Sequence, residues 1–379
     1  MRACWLLAVA GFVQAQGLPP GKVIPEVQCA ADASQSYALY LPSQYRGDRT
    51  WSVILAFDPG GRGRVPVERL QAAAETYGYI VAGSNNSRNG PWEVSAAAAQ
   101  ALWNDVFSRF PIDSRRVYLA GFSGGARVAM AVALSTGRVD GVIASSAGFP
   151  DAQPRQAVPF AVFGTAGTDD FNYQEMREVD RRLTSAHRVV IFEGGHDWLP
   201  ASLAPEALGW LELRAMRSGL RPRDEALIDQ IFLQRQKRLE GITNRLEESR
   251  EVASLVADFG GIRDVSAFAA RQAALQRDKA VKDGDKKERA EQQREAGLQA
   301  EIERLVAGLK EGPSGRVDTF TELRARLTAL AGQARATQDS AARRLARRLL
   351  GGIIVGSREV QDADFQKLLQ TLRPAVFPN

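Results

Sequence analysis

Gly121-Phe-Ser-Gly-Gly125 is the stretch of this chain whose residue types point most directly to chemistry. A serine hydroxyl is a weak nucleophile at neutral pH and needs a base within hydrogen-bond reach. Arg116-Val-Tyr-Leu-Ala120 before it reads as a strand, and Ala126-Arg-Val-Ala-Met-Ala-Val-Ala-Leu134 after it as a helix. A G-x-S-x-G placed between a strand and a helix is a sharp turn that lifts the serine hydroxyl above a sheet. The helix then starts beneath Ser123, so the N–H of Gly124 points toward a developing oxyanion. The chain has two histidines, His187 and His196. His196 lies in the loop Glu193-Gly-Gly-His-Asp-Trp-Leu-Pro200, just after the strand-like run Arg188-Val-Val-Ile-Phe192, where a base is needed. His187 precedes the same run, at the opposite edge, and reads as a surface residue. A carboxylate after the preceding strand should orient the imidazole. Asp169 and Asp170 both qualify, and Gly167-Thr-Asp-Asp170 favours Asp170, leaving Asp169 as a solvated or capping loop residue. Asp197 is too close to His196 in sequence to orient it.

A second oxyanion donor is expected from the loop Phe57-Asp-Pro-Gly-Gly-Arg-Gly63. Pro59 has no N–H, so Gly60 or Gly61 must donate. The loop Gly83-Ser-Asn-Asn-Ser-Arg-Asn-Gly90 opens onto the same edge of a sheet. Its Asn85 and Asn86, with Trp198 beyond His196, are the candidates for substrate contact.

The elements that must carry these residues are legible in the hydrophobic pattern. Strands are expected at 36–41, 52–57, 79–83, 116–120, 141–145, 160–163 and 188–192. Helices are expected between the later strands at 67–77, 94–109, 124–135 and 173–185. Strands alternating with helices imply crossovers and a mainly parallel sheet covered on both faces, an α/β fold.

After about Ala204 the strand signals stop. All six Trp and all seven Tyr lie at or before Trp210, and the rest is rich in Ala, Arg, Glu, Gln and Leu. Helices are expected at 223–257, 265–296, 297–309, 319–334 and 340–354. Leu255-Val-Ala257 and Leu305-Val-Ala307 give a faint echo, as in degenerate tetratricopeptide-type hairpins, and an ordinary bundle fits nearly as well. The expected organisation is a signal peptide at 1–15, an α/β domain at 16–204 and an α-helical domain at 205–379.

Composition narrows the function classes. In 379 residues, two Cys and two His cannot build a disulfide scaffold or a zinc finger. No metal and no cofactor is expected. The net charge is +5. Of 49 basic and 44 acidic residues, 18 and 18 lie up to Pro200, leaving 31 and 26 for the helical part. The mixed run Asp278 to Arg289 has no interleaved aromatics, which argues against nucleic-acid binding. The basic, amphipathic Arg343 to Val355 reads as a helix packed into a bundle rather than one lying on a membrane. Protein binding or covering of the site is the expectation for this half. Met1 to Ala15 has one positive residue, a short apolar run and small residues at its end, which reads as a secretory signal and implies a secreted or periplasmic product. Cys4 would leave with it, and Cys29 reads as a small half-buried residue.

Residues 30–202 resemble the α/β-hydrolase superfamily, and within it the secreted esterases grouped with polyhydroxybutyrate depolymerases, feruloyl esterases and dienelactone hydrolases. The resemblance rests on Gln35-Ser-Tyr-Ala-Leu-Tyr-Leu-Pro-Ser43, Asp58-Pro-Gly-Gly61, Gly121-Phe-Ser-Gly-Gly125 and Gly194-Gly-His-Asp-Trp198. The chain order Ser123, Asp170, His196 is that of the same superfamily. Asp58-Pro59 stands where the family usually has His-Gly. The resemblance implies a serine esterase acting on small or oligomeric esters through an acyl-enzyme. The alternatives are a serine peptidase on the same fold and a non-catalytic envelope binding or scaffold protein with a degenerate hydrolase domain.

Overall fold

The structure, a computed structural model, describes residues 17–151, 153, 155–309 and 313–377. The signal-peptide reading of residues 1–15 lies outside the described residues.

Eight strands form one sheet: β1 (Val23–Gln28), β2 (Ser36–Tyr40), β3 (Trp51–Phe57), β4 (Tyr79–Ser84), β5 (Ile112–Phe122), β6 (Gly141–Ser145), β7 (Ala161–Gly167) and β8 (His187–Phe192), in the order β1-β2-β4-β3-β5-β6-β7-β8. β1 and β2 are antiparallel additions, whereas β4, β3, β5 and β6 pair in parallel. Every residue of β3 and of β4 is buried, as continuous apolar strands covered on both faces should be. Helices α1 (Arg64–Tyr77), α2 (Trp92–Arg109), α3 (Gly124–Thr136) and α4 (Tyr173–Arg182) make the connections. This is the mainly parallel α/β architecture that the residue pattern implies, with the sheet order that the resemblance to α/β-hydrolases implies, followed by an all-helical region.

β1 has no strand-like alternation in the sequence and carries Pro25. It is an edge strand whose pairing to β2 shifts between Ile24 and Val27, which is where a proline is tolerated. β5 begins four residues earlier than expected, because Ile112 pairs with Trp51 before an irregularity in the register.

The helical region holds α5 (Ala204–Arg217), α6 (Glu225–Glu240), α7 (Arg245–Phe259), α8 (Ser266–Leu275), α9 (Lys279–Gly308), α10 (Pro313–Ala334), α11 (Ala341–Gly356) and α12 (Ala363–Leu372). The helix expected over 223–257 is two. Asn244 caps α7, its Oδ1 accepting from the N–H groups of Leu246 and Glu247. The helix expected over 265–296 also divides, at Asp278, whose carboxylate caps Ala280. α9 then runs through Gly284 and Gly297, so the break expected at Gly297 does not occur. The two Leu-Val-Ala echoes sit in helices of 15 and 30 residues, which are not equal repeat units.

Compactness and composition divide the chain at different places. One unit takes in Met1–Phe163, Leu183–His187 and Trp198–Glu212; the other takes in Gly164–Arg182, Arg188–Asp197 and Leu213–Asn379. In the first unit the core is the sheet, and the carboxylate of Glu212, fully buried, accepts from Tyr79 and Arg116. In the second, Leu213, Ile228, Leu255 and Phe259 form one apolar cluster, and Leu323, Leu327, Leu350 and Phe365 anchor another. Buried Arg188 and Arg235 share Glu251 and Asp258 in the same unit, so each charge there has a partner.

Candidate active site

In the first unit, β5 runs into Ser123 and α3 starts at the next residue. Ser123 has φ 52° and ψ −121°, a conformation that side chains rarely adopt. Two neighbours enforce it. The Ser123 N–H donates to the carbonyl of Ser145 at the end of β6 (2.9 Å), and its own carbonyl accepts from Ala126 N–H (3.0 Å) in α3. The flanking glycines are sterically required, since a Cβ at Gly121 would lie 2.2 Å from the Gly125 carbonyl oxygen and one at Gly125 would lie 2.0 Å from that of Phe57. Strain of this kind, held by packing at a half-buried turn, clusters at functional sites. Gly124 provides the first N–H of α3, which has no helical carbonyl behind it.

The N–H groups of Gly60 and Gly61, expected as oxyanion donors, are both held by Asp58. The Gly60 N–H donates to Asp58 Oδ1 (2.8 Å) and the Gly61 N–H to the Asp58 carbonyl (3.2 Å). Asp58 is fully buried and also accepts from Arg62 Nε (2.8 Å) and from Trp198 Nε1 (2.8 Å). Trp198, 1% exposed, is therefore a fastener for this loop and presents no face to a substrate. Asn85 and Asn86 are fasteners too. Asn85 Nδ2 donates to the Pro25 carbonyl (3.3 Å) and to Ser36 Oγ (3.2 Å); Asn86 Oδ1 accepts from Ser36 N–H (2.8 Å), and its Nδ2 donates to the Ser34 carbonyl (3.0 Å). These bonds tie the start of β2 to the loop after β4 and leave little of either amide for a ligand.

The residue of that loop that reaches the nucleophile turn is Asn89. Its N–H donates to the Pro59 carbonyl (2.8 Å), and its carboxamide lies so close over Gly124 that a Cβ there would be 1.8 Å from Oδ1. The placement depends on the bridge between Gly60 and Arg88, a contact between loops that local sequence does not announce.

In the second unit the turns after β7 and β8 lock together. Thr168 N–H donates to the Phe192 carbonyl (2.9 Å) and Asp169 N–H to that of Gly194 (2.8 Å). Asp170, fully buried, accepts on Oδ1 from His196 Nδ1 (2.7 Å) and from Asn172 N–H (2.8 Å). With Nδ1 carrying its proton toward the carboxylate, Nε2 is the basic nitrogen. Asp169 turns the other way, 2.8 Å from Arg347 Nε and 3.7 Å from Arg343 Nη1. Burial pushes its carboxyl pKa up against the pull of these two arginines. The structure thus brings Asp170 and His196 together and places the Asp169 carboxylate against Arg347 and Arg343 instead. His187, in the first unit, holds the Ser185 carbonyl through Nδ1 (2.8 Å) and is half-buried at its own turn.

Cys29 is buried, and burial pushes its thiol up to about 11, so it is neither thiolate nor nucleophile near neutrality. Among the described residues, no group of three or more His, Cys, Asp and Glu is placed to hold a metal ion, and no helix is long and apolar enough to cross a membrane.

No protein-family model matches the chain, and neither does any curated protein sequence. Solved structures that resemble it include a ferulic acid esterase, with TM-score 0.42 and 16% identity, covering 50% of this chain and 97% of the other. An esterase of Pyrobaculum calidifontis has TM-score 0.41 and 10% identity over 52% of this chain and 87% of its own. Esterase 2 of Thermogutta terrifontis has TM-score 0.41 and 12% identity over 54% and 96%. These likenesses concern about half of the chain, and the chemistry of the site rests on its own residues.

Proposed function

We propose that the chain is a serine carboxylic ester hydrolase. The observation that carries this reading is the strained Ser123 turn at the head of α3, supported by the Asp170–His196 hydrogen bond. In the proposed cycle Ser123 Oγ attacks the ester carbonyl and His196 Nε2 takes its proton. The carbonyl oxygen becomes an oxyanion facing the Gly124 N–H. Collapse breaks the bond to the leaving oxygen, which receives the proton from His196 and departs as the alcohol. Water then repeats the sequence on the acyl-serine, releasing the acid. Asp170 keeps the imidazole in the working tautomer and stabilises the imidazolium.

The test is labelling by a fluorophosphonate probe together with turnover of p-nitrophenyl esters of short acids. Covalent label on Ser123 and saturable turnover support the reading; a folded chain with neither would leave the fold as a binding scaffold.

Because the N–H groups of Gly60 and Gly61 are held by Asp58, the second oxyanion donor in this proposal is Asn89 Nδ2, which donates once the carboxamide turns from the pose in which Oδ1 lies nearest Gly124. Asn89→Ala is expected to lower kcat by about 10²-fold with KM little changed. A kcat equal to wild type would place the second donor elsewhere. Export belongs to the same proposal. N-terminal sequencing of the mature product should begin at residue 16, and a product retaining residues 1–15 in the cytoplasm would refute it.

A further inference from the structure

We propose that α11 is a working part of the acid–base half of the site, with Arg348 and Phe171 as positioning residues for Asp170 and His196. The inference rests on the esterase reading only for its kinetic consequence, since the contacts themselves all lie within the second unit.

Arg348 Nη1 donates to the Thr168 carbonyl (2.9 Å), two residues before Asp170. The rest of its guanidinium is held from two sides. Nε and Nη2 donate to buried Glu295 of α9 (2.9 and 2.7 Å), and the group lies 4.7 Å over the Tyr173 ring at the start of α4. Glu295 also accepts from Gln174 Nε2 (2.7 Å). An arginine with so many fixed partners is a rigid strut rather than a surface ion pair. The same helix reaches the other turn, where Arg344 Nη2 donates to Glu193 (3.0 Å), three residues before His196.

Phe171 is the second link. Its ring stacks on the His196 imidazole with centroids 3.9 Å apart and planes at 29°. The same residue lies beside Gly351 and Gly352 of α11, where an added Cβ would be 3.4 Å from Phe171 Cδ1 and 3.6 Å from its Cβ, respectively. An added Cβ at either glycine would make ordinary contact with Phe171, so the phenyl packs directly against this turn of α11 while it stacks on the imidazole. Neither role follows from packing the helical core, because Phe171 sits on a loop and touches the base itself.

The test uses Arg348→Ala, Arg348→Lys and Phe171→Leu in the full chain, with folding checked by circular dichroism. Phe171→Leu keeps apolar volume and removes only the stacked ring. Two readouts are compared: kcat against KM on a p-nitrophenyl ester, and the downfield NMR resonance of the proton between His196 Nδ1 and Asp170. Arg348→Ala and Phe171→Leu are expected to lower kcat about 10- to 100-fold at nearly constant KM and to shift or broaden that resonance. Arg348→Lys, which can still reach one carbonyl, should restore part of both. Folded variants with wild-type kcat or an undisturbed resonance would overturn the proposal. If the wild-type chain neither turns over esters nor takes the probe, the esterase reading fails by itself, and the resonance still decides whether α11 positions the pair.

Discussion

Ser123→Ala lowers the turnover of a short p-nitrophenyl ester by at least about 10⁴-fold and abolishes fluorophosphonate labelling, while circular dichroism and the unfolding midpoint stay close to wild type. The size of the effect follows from the proposed cycle, in which Ser123 Oγ is the atom that forms the bond to the acyl group. What remains is stabilisation of a water-derived oxyanion by the Gly124 N–H and whatever binding the site retains. Stability is spared because the turn is held by backbone atoms, the Ser123 N–H on Ser145 and the Ser123 carbonyl on Ala126. The strain itself is open to measurement. Alanine keeps the Cβ at φ 52°, whereas glycine removes its steric cost, so Ser123→Gly should unfold at a higher temperature than Ser123→Ala. Full activity in Ser123→Ala would remove the serine from the chemistry altogether.

The Ser123 turn and the contact between Asp170 and His196 were legible for the same reason: each depends on elements that end a few residues from the side chain they carry. The strand run, the glycines and the apolar helix around Ser123 lie within twenty residues of one another, and β7 and β8 each end a few residues before Asp170 and His196. The oxyanion loop was not legible. What disposes of Gly60 and Gly61 is a buried Asp58 carboxylate held by an indole 140 residues later, a partnership with no local signature. The bonds made by Asn85, Asn86 and Trp198 were not legible, for the related reason that a polar loop side chain looks alike whether it waits for a ligand or fastens a neighbouring segment. The partners of the two asparagines lie in β1 at Pro25, at the start of β2 at Ser36 and just before it at Ser34, and β1, with its proline and irregular register, gives no strand signal. In the helical half, apolar spacing found helical stretches and missed their breaks. Asn244 and Asp278 cap the helices that start after those breaks, and each is an ordinary N-cap once its neighbours are known to be helical.

Asp170→Asn is expected to lower kcat by about 10⁴-fold, and Asp169→Asn by less than tenfold. The two acids are neighbours with the same chemistry, so the contrast isolates geometry. Asp170 Oδ1 accepts from both His196 Nδ1 and the Asn172 N–H, while its Oδ2 is buried without a hydrogen-bond partner. An asparagine there has two poses. With its oxygen kept at the Oδ1 place, the amide nitrogen is buried without an acceptor. With the amide reversed, Nδ1 must accept, the imidazole proton moves to Nε2, and the base can no longer take a proton from Ser123. In either pose the negative charge that stabilises the imidazolium is lost. Asp169 offers His196 no such contact, since its carboxylate lies against Arg347 and Arg343, and its amide would forfeit an ion pair on the far side of the turn. Steady-state kinetics on the two purified variants would check both. An inactive Asp169→Asn beside an active Asp170→Asn would reverse the assignment of the acid and, with it, the direction in which the whole turn faces.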